Sequence, residues 1–156
     1  MGWQRDMSVT GAQQAEPGRY RVALRWGDID ALGHVNQAVY HELLEEARTA
    51  MLATLPSPPK GAYVLARVEL NYRREIPLGD RYADVTLQVE SIGRSSITVS
   101  QRIFRCDGEL AADGLSVLVS WDPAQRGSRP LSEGELAALT ALRAASPRDR
   151  QAPAPQ

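Results

Sequence analysis

The chain has 156 residues, 43% of them hydrophobic and 24% charged, the composition of a single globular domain. Its 18 basic and 19 acidic residues leave a net charge of −1, so no electrostatic footprint for nucleic acid is present. The single cysteine, Cys106, excludes an internal disulfide framework, and no apolar run nears the ~18 residues of a membrane span.

The first residues, MGWQRDMSVTGAQQ, lack the apolar centre of a signal peptide. Asp6 stands where a myristoylation signal wants Ser or Thr. With a lone cysteine, the expected location is cytoplasmic. Residues 1–17 are polar and aperiodic and read as a flexible tail. From Tyr20 to Trp26 the chain alternates, with Tyr20, Val22, Leu24 and Trp26 on one side, which predicts a first strand.

A tight acidic loop follows, WGDIDALGHVN, carrying Asp28, Asp30, Gly33, His34 and Asn36. It runs straight into a predicted helix over 36–55. Val39, Tyr40, Leu43, Leu44, Ala47 and Met51 form its apolar stripe, while Gln37, His41, Glu42, Glu45, Glu46 and Arg48 lie elsewhere. Asn36 suits the N-cap, and the prolines of PSPPKG end the helix.

Period-2 patterning then takes over. Strands are predicted over Ala62–Tyr72, Arg81–Ser91, Ser95–Cys106 and Leu110–Trp121, the last alternating through Leu115, Val117, Val119 and Trp121. The IPLGD turn, Gly93-Arg94 and the Asp107-Gly108 hairpin signal separate them. Residues 123–130 read as loop. Leu131–Ala145 predicts a short helix with Ser132 as N-cap and Glu135 closing a capping box. The polar, Pro-rich residues 146–156 predict a disordered tail.

Short turns make neighbouring strands antiparallel. Strands of roughly 35 Å at 3.3 Å per residue outreach the one long helix, so the apolar face closes only if the sheet curls around it. The expectation is an α+β fold, a five-stranded antiparallel sheet wrapped around a central helix, in one domain over residues 18–145. Ala62–Tyr72 is long, proline-free and sparsely charged, an edge suited to pairing with a second copy as a homodimer.

The acidic loop is where chemistry is expected. A carboxylate held ahead of a helix N-terminus faces free N–H groups that stabilise an oxyanion. Asp28 reads as a turn or cap acceptor, and Gly33 as a positive-φ position or a point of close substrate approach. Asn36 is a cap, with a substrate contact as a second role. A calcium loop fails, because Leu32 and Val39 occupy its fifth and twelfth positions. His34 and His41 give no zinc spacing, and no Gly-x-Ser-x-Gly is present. Neither a metal nor a cofactor is expected.

The loop and helix, together with RVELNYRREIPLGD, SIGRSS and GELAADGLSVLVSWD, resemble the hot-dog-fold acyl-CoA thioesterases of the 4-hydroxybenzoyl-CoA thioesterase type. The resemblance covers residues 18–122, and D-x-D-x-x-G-H-V-N is its most specific part. It implies a homodimer or homotetramer with active sites shared between protomers. It makes Asp30 the reactive carboxylate, as nucleophile or general base, and places the oxyanion donor at the backbone of about Gln37. In the related plant acyl-ACP thioesterases the loop carries an Asn and a His; His34 matches the latter, whereas Leu32 replaces the former. His34 is a candidate for catalysis or substrate polarisation. Arg94, with Arg73 and Arg74, are candidates for the phosphates of coenzyme A.

A thiolate is a good leaving group, so a sparse site of one carboxylate and oxyanion donors suffices. An acyl-ACP thioesterase, a hydratase with His34 in an Asp/His dyad, and a non-catalytic acyl-CoA-binding module are the rivals.

Overall fold

A computed structural model describes residues 11–56 and 62–145. The predicted tail over 146–156, and residues 1–10 of the N-terminal one, lie outside the described residues. The elements run β1 (Ala12–Glu16), β2 (Arg19–Ala23), a single 3-10 turn (Trp26–Asp28), α1 (Gln37–Leu52), β3 (Ala62–Tyr72), β4 (Tyr82–Ile92), β5 (Ser96–Phe104), β6 (Leu110–Asp122), β7 (Gly127–Ser128) and α2 (Glu133–Ala145). One antiparallel sheet takes the order β1-β2-β4-β5-β6-β3, and β7 pairs with β6. This is the expected α+β sheet around a long helix, with five principal strands and two small additions. Among the described residues no helix is long and apolar enough to cross a membrane.

One addition corrects the sequence reading. Residues 12–16, expected in the tail, pair with β2 as β1. AQQAE buries only Ala12, so it carries no alternation to detect. The signal was the turn instead: Pro17 followed by Gly18 at φ 75° reverses the chain. The first predicted strand also stops short, at Ala23. Asp28 accepts the Arg25 backbone N–H at 2.7 Å and draws the chain into the 3-10 turn. Trp26 is thereby left 82% exposed.

The core lies between the inner face of the sheet and one face of α1. Ala83, Val85, Leu87 and Val89 of β4, and Ile97, Val99 and Ile103 of β5, meet Val39, Tyr40, Leu43, Leu44, Ala47 and Met51 of α1 in one cluster. α1 packs on β1, β2, β4 and β5. α2 lies over β4 beyond the end of α1, with Leu139 fully buried.

Two side-chain assignments differ from the pattern. In β6 the apolar set Leu115, Val117, Val119 and Trp121 is only half-buried. The buried positions are Ala111, Ala112, Ser116, Leu118 and Ser120. Small and hydroxylated residues thus fill the inner face, and large apolar ones line the outer. In α1, Arg48 is not on the solvent face but 6% exposed inside the sheet. A bulge at Ala66 interrupts the alternation of β3, and Val64 and Leu65 are exposed.

The predicted capping box of α2 is present. Ser132 N–H donates to Glu135 at 2.8 Å, and Glu135 N–H donates to Ser132 Oγ at 3.1 Å. Glu135 is fully buried and also accepts both Arg129 Nη atoms at 2.8 Å and the Tyr63 hydroxyl. The Arg129 guanidinium, foremost, holds its carboxyl down to about 2. Burial, with Glu135 beside it, pushes the Tyr63 hydroxyl up to about 12. Because the folded carboxyl titrates below its ordinary 4.5, this stabilisation is complete above that pH and is lost as pH falls towards 2. Glu135→Gln is expected to lower stability by roughly 2–3 kcal/mol at neutral pH. Thermal melts should show a loss on the order of 5–10 °C that narrows in acid.

Candidate active site

The acidic loop folds into a miniature hairpin. Ile29 bridges Val35, Asp30 N–H donates to the His34 carbonyl at 3.0 Å, and Gly33 N–H returns to the Asp30 carbonyl at 3.1 Å. Gly33 takes φ 83°, which a side chain would strain. The hairpin is tied down from outside: Val35 N–H reaches the Ile76 carbonyl at 2.8 Å, and Leu78 N–H reaches the Gly33 carbonyl at 3.1 Å. Asn36 N–H donates to the Asp28 carbonyl at 2.8 Å. The IPLGD turn, expected only as a strand connector, is therefore the clamp that orients the loop.

Asp30 is held by two neighbours. Its Oδ1 accepts the Leu32 N–H at 2.9 Å and lies 3.8 Å from His34 Nδ1. His34 Nε2 lies 3.7 Å from Glu75 Oε2. The imidazole thus sits between two carboxylates, and Glu75 was not foreseen. Its only sequence signal was its place beside the Ile76 clamp. Asp28 does what the sequence suggested: buried, it caps the 3-10 turn and meets the Arg25 guanidinium at 3.3 Å.

Asn36 caps α1 by accepting the Ala38 N–H at 2.9 Å. That leaves the Gln37 N–H, one residue earlier, without a cap bond, at the positive end of the helix. Tyr72, at the end of β3, donates its hydroxyl to the Gln37 carbonyl at 3.0 Å and stacks edge-on with Tyr40 at 5.0 Å. This second unforeseen residue fixes the first turn of α1 against the sheet.

The basic candidates are placed unevenly. Arg73 is near the α1 start but makes a two-pronged pair with Asp113, both contacts 3.1 Å. Arg74 pairs with Glu109 at 3.7 Å. Arg94 is in the β4–β5 turn. In one chain that turn is at the opposite end of the sheet from Asp30, because Ala23 and Tyr82 pair at the loop end. Among the described residues, no three His, Cys, Asp or Glu side chains gather as a metal site.

Residues 24–155 match the family model of the thioesterase-like superfamily. The chain belongs to that superfamily. The hot-dog fold and the thioester-hydrolase class implied by the WGDIDALGHVN segment are borne out by that membership. Over 122 residues the chain is 33% identical to the long-chain acyl-CoA thioesterase FadM of Escherichia coli (strain K12), covering 74% of this chain and 91% of that protein. A thioesterase of Thermus thermophilus, solved in complex with coenzyme A and Zn, superposes with a TM-score of 0.73 at 34% identity, covering 86% of this chain and 99% of that one. A 1,4-dihydroxy-2-naphthoyl-CoA thioesterase of Synechocystis superposes with a TM-score of 0.68 over 78% of this chain and 94% of that one. At 17% identity that last likeness concerns the fold alone.

Proposed function

We propose that this thioesterase hydrolyses acyl-CoA to the free acid and coenzyme A, with Asp30 as the reactive carboxylate and the Gln37 N–H as oxyanion donor. The carrying observation is the pairing of an oriented carboxylate with an uncapped N–H at the head of α1. The Leu32 N–H and His34 restrain Asp30, so its approach to a carbonyl carbon costs little reorganisation. Asp30 either attacks the thioester, giving a mixed anhydride that water opens, or takes a proton from water as the water attacks. Water that opens the anhydride at the aspartyl carbonyl leaves its oxygen on Asp30, so heavy-oxygen label in that carboxylate after a single turnover marks the first route. FadM and the coenzyme-A complex of the Thermus protein support coenzyme A as the thiol carrier. Thiol release from a series of acyl-CoA chain lengths tests the activity. Tight binding without release would leave a binding module instead.

A homodimer completes the site in this reading, and a homotetramer is the larger form. β3 is the long edge strand of the sheet, opposite the short β1, with Leu65 45% and Tyr72 48% exposed. Antiparallel pairing of two such edges brings the β4–β5 turn of one chain, with Arg94, towards the loop end of the other. Arg94 then reaches the coenzyme A phosphates across the interface; Arg73, already paired to Asp113, has the weaker claim. Gly33 and Asn36 line the thioester. The half-buried apolar outer face of β6 offers a second contact for a tetramer. Sedimentation of the wild type is expected to give at least a dimer. Val64→Glu combined with Leu65→Lys should give a monomer with hydrolysis reduced about a hundredfold, since half of each site departs.

A further inference from the structure

The inner face of β3 and β6 continues beyond the reaction centre as a strip beside α1. Register places Tyr72 opposite Ala112, Leu70 opposite Gly114, Val68 opposite Ser116 and Leu65 opposite Leu118, each pair on one face. Tyr72 reaches Gln37 from that face and Ser116 reaches Arg48, so the face is the one that α1 flanks. The body of α1 packs on the other half of the sheet, against β4 and β5. Leu65 and Tyr72 remain exposed, and Val68 and Leu70 partly so. An apolar track therefore starts at the head of α1 and runs along its flank.

Part-way along the track stands a group that an apolar lining does not call for. Arg48 Nη1 donates to Gln101 Oε1 at 3.3 Å and to Ser116 Oγ at 3.2 Å, and Ser116 Oγ donates to the same Gln101 oxygen at 2.7 Å. Among the described residues no carboxylate comes within salt-bridge distance of this guanidinium, and Glu45 acts on it only from further off. Burial pushes its pKa below the ordinary arginine range. Gln101 is 1% exposed, and its Nε2 has no partner. The amide cannot turn over to find one, because its oxygen faces the arginine and the serine. The cluster thus presents a buried cation held by neutral acceptors and a spare Gln101 N–H donor with no acceptor of its own. A buried amide donor without a partner is costly, as is a buried cation without a counter-charge, so the arrangement matches a ligand that brings an acceptor oxygen.

We propose that Arg48 and Gln101 form a specificity subsite for an acyl chain carrying an acceptor oxygen, a carboxylate or a hydroxyl, some way from the thioester. The inference rests on the acyl-CoA reading above and names its substrate class. Eleven residues separate Gln37 from Arg48, roughly 16 Å of helix at 1.5 Å per residue. The arginine side chain leans back towards the helix N-terminus. The subsite therefore reads a position well down a medium-length chain, and short acyl groups fall short of it.

The test compares coenzyme A half-thioesters of octanedioic, decanedioic and dodecanedioic acids with the ω-hydroxyacyl and unsubstituted acyl thioesters of the same lengths. Wild type is expected to favour one oxygen-bearing length by about tenfold or more in kcat/KM. Preference for the carboxylate over the hydroxyl identifies an anion site; the reverse identifies a neutral acceptor. Arg48→Met and Gln101→Leu should each abolish the preference while keeping turnover of the unsubstituted chain within a few-fold. Calorimetric binding of hydrolysis-resistant thioether analogues, with and without the terminal oxygen, reads the same preference without catalysis. If unsubstituted chains are hydrolysed as well as oxygen-bearing ones at every length, the subsite is overturned and the thioesterase reading stands. If nothing is hydrolysed but the oxygen-bearing analogue still binds more tightly, the subsite stands and the hydrolase reading falls. Equal binding of both analogues, or equal losses on all chains in both variants, also overturns the subsite.

Discussion

Asp30→Asn is expected to lower kcat for acyl-CoA hydrolysis about a thousandfold with KM changed by less than about threefold. The carboxamide keeps an oxygen for the Leu32 N–H, so the turn at 2.9 Å survives. What it loses is the negative charge that attacks the carbonyl or takes a proton from water. The melting temperature should stay within about 2 °C of wild type, because no buried contact is removed. A parallel Asp28→Asn variant behaves in the opposite way. It weakens the Arg25 contacts of a buried carboxylate, so stability falls while the surviving folded enzyme still turns over. Thiol release measured beside thermal melts separates the two patterns. Equal turnover by wild type and Asp30→Asn would remove this carboxylate from the chemistry.

The largest expected stability effect lies elsewhere, at Gly114. A Cβ added there meets the Glu69 carbonyl oxygen at 1.8 Å and its carbon at 2.7 Å. Both are backbone atoms of β3, so no side chain can swing aside. The strand must move away from β6, and Leu70 and Val68 on its inner face move with it. Gly114→Ala is expected to cost about 4 kcal/mol, a drop on the order of 10–15 °C in melting temperature. Gly79 is the control: a Cβ there meets nothing within 4 Å, and Gly79→Ala should be near neutral. A Gly114→Ala protein as stable as wild type would mean that β3 and β6 lie further apart than described.

The order of elements was legible because each carries its own period. The helical apolar stripe from Val39 to Met51 and the alternating runs after it leave few ways to close a sheet. The acidic loop stood out by resemblance: its D-x-D-x-x-G-H-V-N pattern is specific, whereas each aspartate alone is an ordinary turn former. What escaped was whatever depends on contacts distant in sequence. Glu75 and Tyr72 act on His34 and Gln37 through pairings set by the sheet. Arg48 was placed only off the apolar stripe of the helix, since nothing local shows that Gln101 and Ser116 will meet it inside. The inner face of β6 was misread because Leu, Val and Trp outweigh Ala, Gly and Ser in any hydrophobic count. Small residues are inside there because the backbone of β3 lies close against β6 at Gly114.

The most direct test is a crystal structure of Asp30→Asn with a thioether analogue of acyl-CoA in which a methylene separates sulfur from carbonyl. The carbonyl oxygen is expected within hydrogen-bond distance of the Gln37 N–H, with the residue-30 side chain beside the carbonyl carbon. A carbonyl turned away from the first turn of α1, or seated where residue 30 does not reach it, would contradict the account.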